Sequence, residues 1–184
     1  MKENLPTNTV KPNHKYSFGR LVIFFILILL ILYSVVNFKT VKRMTPSELL
    51  TNLVVIQTTQ CLNVLHQKST FTGSVITIAP HVNKSHTFSM DIMFGCNGIE
   101  AMLIYASAVA AFPASWKRKL LGITSGVVLI HIGNILRITS LGLIGLYYPN
   151  LFDYFHVYVL QGMMIAFALV IFSTYLHFNA AKTS

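Results

Sequence analysis

Residues 21–36 read LVIFFILILLILYSVV, and this unbroken apolar run decides the class of the protein. With the flanking Phe18 and Phe38, the run approaches the roughly 20 residues that a transmembrane helix needs. The 184-residue chain is 54% hydrophobic and only 10% charged, and its mean hydropathy is +0.62. Soluble domains carry about 25% charged residues. The composition therefore excludes a disordered chain, argues against a soluble domain and predicts an all-α polytopic membrane protein.

The apolar runs predict about four transmembrane helices. The first, 21–38, follows a basic segment, 1–20, and no small-residue cleavage site comes after it, which indicates an uncleaved signal anchor. The other three lie in the core segment 96–178, and a short tail, 179–184, ends the chain. The helical runs of the core are 97–112, 120–147 and 157–175.

Residues 39–95 are more polar and are expected outside the bilayer. The run Thr45-Pro46-Ser47-Glu48 has the pattern of a helix start, with Thr45 as N-cap and Glu48 at the third helical position. An apolar stripe interrupted by glutamine and threonine follows it and predicts an amphipathic helix over 46–66 rather than a span. Two short β-branched or alternating runs around a turn-like segment predict a small β-hairpin within 70–94.

The basic residues set the expected orientation. Lys117, Arg118 and Lys119 are the densest basic cluster and fall in the predicted loop before the third span, whereas the loop 148–155 contains no lysine or arginine. The positive-inside rule places the basic loop and both termini in the cytoplasm, and 39–95 outside it. The net charge of +9 is thus explained by membrane flanks, so lipid and not nucleic acid is the expected partner.

This topology brings three polar residues to one membrane depth. Cys96 precedes the second span at its outer end, and His156 opens the fourth span from outside. Arg137 lies 18 residues beyond Lys119, which is roughly 27 Å along a helix and close to the outer surface. A thiol, a guanidinium and an imidazole from three helices are therefore expected to converge.

Each of these residues also has a simpler interpretation. Cys96 would serve as a small buried hydrophobic residue or pair with Cys61 in a disulfide. Arg137 would extend to the lipid headgroups, and His156 would be an interfacial aromatic residue. Against these, Cys96 and Asn97 stand at a helix N-terminus, where backbone N–H groups favour the reactive thiolate, and an arginine within a span is costly.

Three further polar residues are candidates for supporting roles. Asn134 is one turn before Arg137 on the same helix face and is expected to hold it by a hydrogen bond. Glu100 lies four residues after Cys96 as the only carboxylate inside a span, and Arg137 is its natural ion-pair partner. Asp153 follows Asn150 by three residues, a spacing that favours a helix cap over a catalytic carboxylate.

No cofactor or metal is expected. A haem pair needs a second histidine at the depth of His131, whereas His156 and His177 lie near opposite surfaces. Catalytic zinc usually takes three protein ligands. His81 and His86 are candidates for two of them, but their spacing is unspecific.

Four stretches of the chain resemble the exosortase/archaeosortase family: GCNGIEA (95–101), FPASWKRKLLG (112–122), NILRITSLGLIGLYYP (134–149) and FDYFHVYVLQ (152–161). They are most similar to exosortase H, the short subfamily linked to IPTL-type C-terminal sorting signals. The resemblance covers roughly 88–178 and rests on the ordered cysteine, N-x-x-R and histidine. Many exosortases have serine where this chain has Asn97, and many have more spans; the short subfamily shares both departures.

The resemblance implies a cysteine endopeptidase-transpeptidase of the bacterial inner membrane whose active site faces the periplasm. The nucleophile of the family falls on Cys96, its arginine on Arg137 and its histidine on His156. The implied substrates are exported proteins that end in a short motif, a transmembrane helix and a basic tail. The acceptor nucleophile cannot be read from the sequence.

Two other functions remain open on the residues alone. One is a non-enzymatic membrane assembly or scaffold protein in which the three polar residues serve helix packing. The other is a thiol-redox membrane protein using Cys61 and Cys96, although the chain has no C-x-x-C motif.

Overall fold

The computed structural model describes residues 18–37, 45–80, 87–93 and 95–180. Most of the predicted basic segment 1–20 and of the tail 179–184 therefore lies outside the described residues. The elements are α1 (Phe18–Asn37), α2 (Pro46–Val64), β1 (Lys68–Thr72), β2 (Val75–Ala79), β3 (Phe88–Asp91), α3 (Ile99–Ala111), α4 (Trp116–Tyr147), α5 (Phe152–Tyr154) and α6 (Leu160–Ala180).

The protein is a mostly helical polytopic membrane protein, as its composition predicts. Within the described ranges, three helical stretches are long and apolar enough to cross a bilayer: Gly19–Asn37, Trp116–Tyr147 and Pro149–Asn179. The predicted second span, α3, has 13 residues. It is therefore about 20 Å long, shorter than the roughly 30 Å hydrocarbon core. It packs between α1 and α4.

The predicted start of α2 is confirmed. Thr45 Oγ1 accepts a hydrogen bond from the Glu48 N–H at 3.2 Å, and Glu48 Oε2 accepts one from the Thr45 N–H at 2.8 Å. This reciprocal pair satisfies two backbone donors that a helix start leaves unpaired. The helix then buries Val54, Val55 and Leu62 against the sheet and α4. Whether α2 lies at a membrane interface stays a prediction.

The predicted hairpin forms two strands, β2 and β3, of a three-stranded antiparallel sheet in the order β1-β2-β3. Sequence reasoning found β2 and β3 and missed β1, which pairs with β2 through the two-residue turn Gly73-Ser74. Gly73 has φ +61°, which suits glycine at the first position of such a turn. The turn-like residues 81–84 lie outside the described residues. The sheet buries Ile76, Ile78 and Met90 against α2 and α4.

Helix α4 is the axis of the core, and the other elements contact it at successive levels. It begins at Trp116, so the basic residues 117–119 belong to its first turn. The prediction that they lie in a loop is therefore wrong. The G-x-x-x-G spacing of Gly122 and Gly126 predicts close helix packing, and a Cβ at either position would collide with a tyrosine ring of α6 or α3. Farther along, Asn134 contacts the turn before α3, and Ile138 and Leu146 contact the sheet.

Candidate active site

Cys96, Arg137 and His156 line one pocket of about 290 Å³. Cys96 comes from the turn before α3, Arg137 from α4, and His156 from the π-helical turn Phe155–Val159 that leads into α6. Strand β3 and the two residues after it form much of the remaining wall. The structure therefore brings the three candidate residues together, while their chemical roles stay predictions.

The turn that carries Cys96 is held by a buried asparagine. Asn97 is fully buried, and its Nδ2 donates hydrogen bonds to Thr51 Oγ1 at 3.0 Å and to Ser47 Oγ at 3.3 Å. Its Oδ1 accepts from the Ile99 N–H at 3.1 Å. Asn97 thus joins the start of α2 to the start of α3. Because it occupies the Ile99 N–H, that backbone donor does not stabilise the thiolate as the helix-terminus argument had assumed.

Gly98 allows the close approach between this turn and α4. It is the N-cap of α3 with φ +81°, in the left-handed region where side chains other than glycine are strained. A Cβ on Gly98 would lie 2.8 Å from Asn134 Cγ. The missing side chain therefore lets Asn134 reach the backbone of the turn.

Asn134 holds Cys96 and not Arg137, which corrects the sequence prediction. Its Nδ2 donates to the Cys96 carbonyl oxygen at 3.1 Å. The side chain is fully buried, and an amide in that position requires a nearby acceptor. The turn supplies one. The Oδ1 of Asn134 could accept from a guanidinium, but it has no hydrogen-bond partner among the described residues, so no hydrogen bond joins it to Arg137.

Arg137 is nearly buried, with 8% of its surface exposed. It interacts electrostatically with both Cys96 and His156. Its Nε is buried and has no hydrogen-bond partner among the described residues. A buried donor without a partner is rare in folded proteins and calls for an explanation, of which a functional site is one.

The predicted ion pair of Glu100 with Arg137 is wrong. Glu100 is exposed, and no ion pair joins the two residues. The prediction assumed that Cys96 and Glu100 share a helix face, but α3 begins only at Ile99. Cys96 therefore lies in the preceding turn, and the spacing of four residues does not place Glu100 beside it.

The ring of His156 is fixed by a column of aromatic side chains. It stacks on Phe152 with ring centroids 5.7 Å apart and planes 3° from parallel. Phe152 in turn contacts Phe88 of β3 at 5.0 Å between centroids. A Cβ on Gly145 of α4 would collide with the Phe88 ring, so that glycine makes room for the column. The sheet is thus connected to the histidine through two rings.

Asp153 is not the predicted helix cap. Neither the short helical turn Pro149–Leu151 nor α5 has a side-chain cap hydrogen bond. The cap prediction took Asn150 as the residue before a helix, but Asn150 lies inside the 3₁₀ turn. Asp153 is exposed and interacts electrostatically with His156 instead.

Sequence reasoning missed the roles of Phe88, Phe152 and Gly145. One signal was available, because Phe152 and His156 are four residues apart and such pairs face each other along one side of a helix. Gly145 and Phe88 carried no such signal, since their contact depends on how the sheet docks on α4.

The remaining candidates lie apart from the pocket. Cys61 and Cys96 are free thiols, so the disulfide alternative is not formed, and Cys61 lines a different cavity with Gln57 and Gln60. His131 Nε2 lies 2.7 Å from Gln57 Oε1. The part of the chain that the structure describes contains no cluster of three metal-ligating side chains. His81 and His86 lie outside that part.

The family model described as transmembrane exosortase (Exosortase_EpsH) matches residues 16–174. The match covers most of the chain and begins well before residue 88, where the motif resemblance began. Searches of curated proteins and of solved structures found no match. The chain belongs to the transmembrane exosortase family, which consists in general of cysteine peptidase-like transpeptidases with a role in protein sorting at membranes.

Proposed function

We propose that this transmembrane exosortase is a cysteine endopeptidase-transpeptidase that cleaves the C-terminal sorting signals of exported proteins. Cys96 is the nucleophile, His156 the general acid and base, and Arg137 the group that stabilises the oxyanion. The observation that carries the proposal is the pocket itself. Three side chains from three separate elements line it, and Arg137 is nearly buried there with an Nε that has no hydrogen-bond partner among the described residues.

The chemistry follows from the properties of these groups. The Cys96 thiolate attacks the scissile carbonyl carbon, so that a C–S bond forms and the carbonyl oxygen gains negative charge. Arg137 donates hydrogen bonds to this oxygen, and its effect is strengthened because the surroundings are apolar. When the C–N bond breaks, His156 gives its proton to the leaving amine, and a thioester remains.

The second half of the reaction releases the sorted protein. An acceptor nucleophile, or water, loses a proton to His156 and attacks the thioester carbonyl. The C–S bond then breaks, and Cys96 leaves as the thiolate with which the cycle began.

The asparagines beside the pocket position the nucleophile. Asn97 connects the Cys96 turn to α2, and Asn134 binds the Cys96 carbonyl oxygen from α4. Neither amide bonds the thiol, so we assign both to positioning and not to chemistry. Asp153 favours a cationic His156 electrostatically after the imidazole has accepted a proton.

We further propose that the pocket opens toward the periplasm of a bacterial inner membrane. The basic residues 117–119 begin α4, and Arg137 follows roughly 27 Å later, near the other surface of a bilayer. The positive-inside rule assigns the basic end to the cytoplasm. On the periplasmic side of the membrane, an exported protein meets Cys96 while its C-terminal helix remains in the membrane.

The test is coexpression with an exported reporter that ends in an IPTL-type motif, an apolar helix and a basic tail. Cys96→Ser is expected to abolish processing, because a neutral hydroxyl is a far weaker nucleophile than a thiolate. Cys61→Ala is the matched control and is expected to leave most processing intact, since Cys61 lines another cavity. Equal losses in both variants at normal membrane levels would favour a redox role and contradict the proposal.

A further inference from the structure

In the part of the chain that the structure describes, one edge of strand β3 carries no partner strand, and this edge borders the pocket that contains Cys96. Among the described residues β3 pairs only with β2. We propose that the substrate segment around the scissile bond binds as an extended strand along β3, with its main chain paired to Ser89 and Asp91. This inference rests on the proposed cleavage at Cys96 and adds how the substrate is recognised.

The hydrogen-bond register of the sheet identifies which groups point outward. The Ile92 N–H donates to the Ser74 carbonyl oxygen at 3.0 Å, so residues 88, 90 and 92 bond toward β2. In an antiparallel pair the intervening residues direct their N–H and C=O groups to the opposite side. The main-chain groups of Ser89 and Asp91 therefore face away from β2.

The pocket lies along this edge and not on one face of the sheet. Its wall includes every residue from 88 to 93 in succession. Side chains alternate between the two faces of a strand, so a pocket on one face would contact only every second residue. Contact with all six places the pocket at the edge, beside the outward-facing main-chain groups.

The chemistry of these groups selects an extended peptide as the occupant. A row of unpaired N–H and C=O groups is completed by another strand, and several peptide-binding domains recognise their ligands in this way. The four residues of β3 extend about 13 Å, enough for a motif of about four residues. Because Cys96 lines the same pocket, a strand bound there presents its carbonyl groups to the thiol.

Proline at position 89 tests the proposal on the enzyme. Ser89→Pro removes the outward N–H but leaves the donors of the β2–β3 ladder, and proline is tolerated on edge strands. We expect processing of the coexpressed reporter to slow about tenfold or more, because the bound substrate loses roughly one main-chain hydrogen bond and the contacts next to it.

A second proline serves as the matched control. The register of β1 with β2 makes Phe71 the residue whose N–H faces outward on the opposite edge of the sheet. Phe71 is half exposed and lies outside the pocket wall. Phe71→Pro therefore makes the same backbone change away from Cys96 and is expected to leave processing unchanged. Alkylation of Cys96 by a small maleimide reports that the pocket remains folded in each variant.

A substrate-side experiment does not depend on folding of a variant. Wild-type enzyme in detergent is given peptides of the motif in which one amide at a time is N-methylated. Strand pairing predicts that cleavage is lost at alternate positions, because only every second residue bonds toward the edge. Uniform tolerance of N-methylation would overturn the inference, even if Ser89→Pro were to disrupt folding.

The outcomes separate this inference from the proposed function. If Cys96→Ser abolishes processing while Ser89→Pro cleaves at the wild-type rate, the strand is refuted and the protease stands. If Cys96→Ser still processes the reporter, the proposed function fails and the inference fails with it. If Ser89→Pro converts a dimer to a monomer at unchanged processing, the edge pairs two copies of this chain, and the inference is likewise overturned.

Discussion

Gly98→Ala is expected to damage the protein through two separable effects. The residue has φ +81°, and forcing a side chain into the left-handed region costs about 1–2 kcal/mol. The new Cβ would also lie 2.8 Å from Asn134 Cγ, which is closer than Cβ contacts come in real structures. Overpacking of this kind costs about 1–3 kcal/mol. The free energy of unfolding should therefore fall by about 2–5 kcal/mol.

Gly73→Ala provides the control, because it has the strain without the collision. Gly73 has φ +61°, and nothing lies within 4 Å of its ideal Cβ position. Its variant should lose only about 1–2 kcal/mol. Thermal unfolding in detergent measures stability, and the rate of Cys96 alkylation measures the position of the turn. Only Gly98→Ala should change that rate and slow substrate processing.

A double variant identifies the colliding side chain. Asn134→Ala removes the two nearest atoms that a Cβ on Gly98 would meet, Cγ and Nδ2, and leaves the Cβ of residue 134 at 3.1 Å. It should relieve about 1–3 kcal/mol of the Gly98→Ala defect while losing the hydrogen bond to Cys96. The reasoning is refuted if Gly98→Ala is no more destabilising than Gly73→Ala, or if the two substitutions add without any coupling.

Three further predictions concern the catalytic side chains and the topology. Arg137→Lys should reach the membrane at a normal level yet process substrate roughly a hundredfold more slowly, since lysine lacks the planar fork of donors. A wild-type rate would indicate that Arg137 only contacts the lipid headgroups. Phe152→Leu should slow processing about tenfold by freeing the His156 ring, with little change in Cys96 alkylation; an unchanged rate would show that the stacking is dispensable. An impermeant maleimide on intact cells should label a cysteine placed at Asn150 and not one placed at Ser115, and the reverse would invert the membrane topology.

The class of fold could be predicted because the signals that specify it are local. A long apolar run such as 21–36 has few alternatives to a membrane helix, and the Thr45–Glu48 capping box is a pattern of adjacent residues. The convergence of Cys96, Arg137 and His156 was also predictable. It required only helix order, the rise per residue and the distribution of basic residues.

The finer geometry could not be predicted because it depends on docking. Strand β1 has a weak, polar sequence, KSTFT, and forms because Ser69 bonds Asn63 and Thr59 of α2. The hydrogen-bond partner of Asn134 lies in the turn before α3. The sequence does not indicate that Gly98 of this turn packs against Asn134. The ion pair of Glu100 with Arg137 was predicted from helical spacing counted from Cys96, but Cys96 lies before the start of the helix.

None of the four carboxylates among the described residues pairs with Arg137, which leaves this side chain available for the proposed reaction. Glu48 caps α2, Asp91 bonds Ser74, Glu100 is exposed, and Asp153 interacts with His156. None forms an ion pair with Arg137 within the described ranges. A buried guanidinium needs an anionic partner, and in the proposed mechanism the thiolate of Cys96, which lines the same pocket, is that partner.

In the proposed reaction this partner is lost, because acylation converts the thiolate to a neutral thioester. Each tetrahedral intermediate carries an oxyanion on the carbon bonded to the same sulfur. The guanidinium therefore has a negative partner in the starting thiolate and in each tetrahedral intermediate, first on sulfur and then on oxygen, and lacks one only in the thioester. A carboxylate paired with Arg137 would compete with both. The exposed position of Glu100, which contradicts the sequence prediction, is thus the arrangement that the proposed chemistry requires.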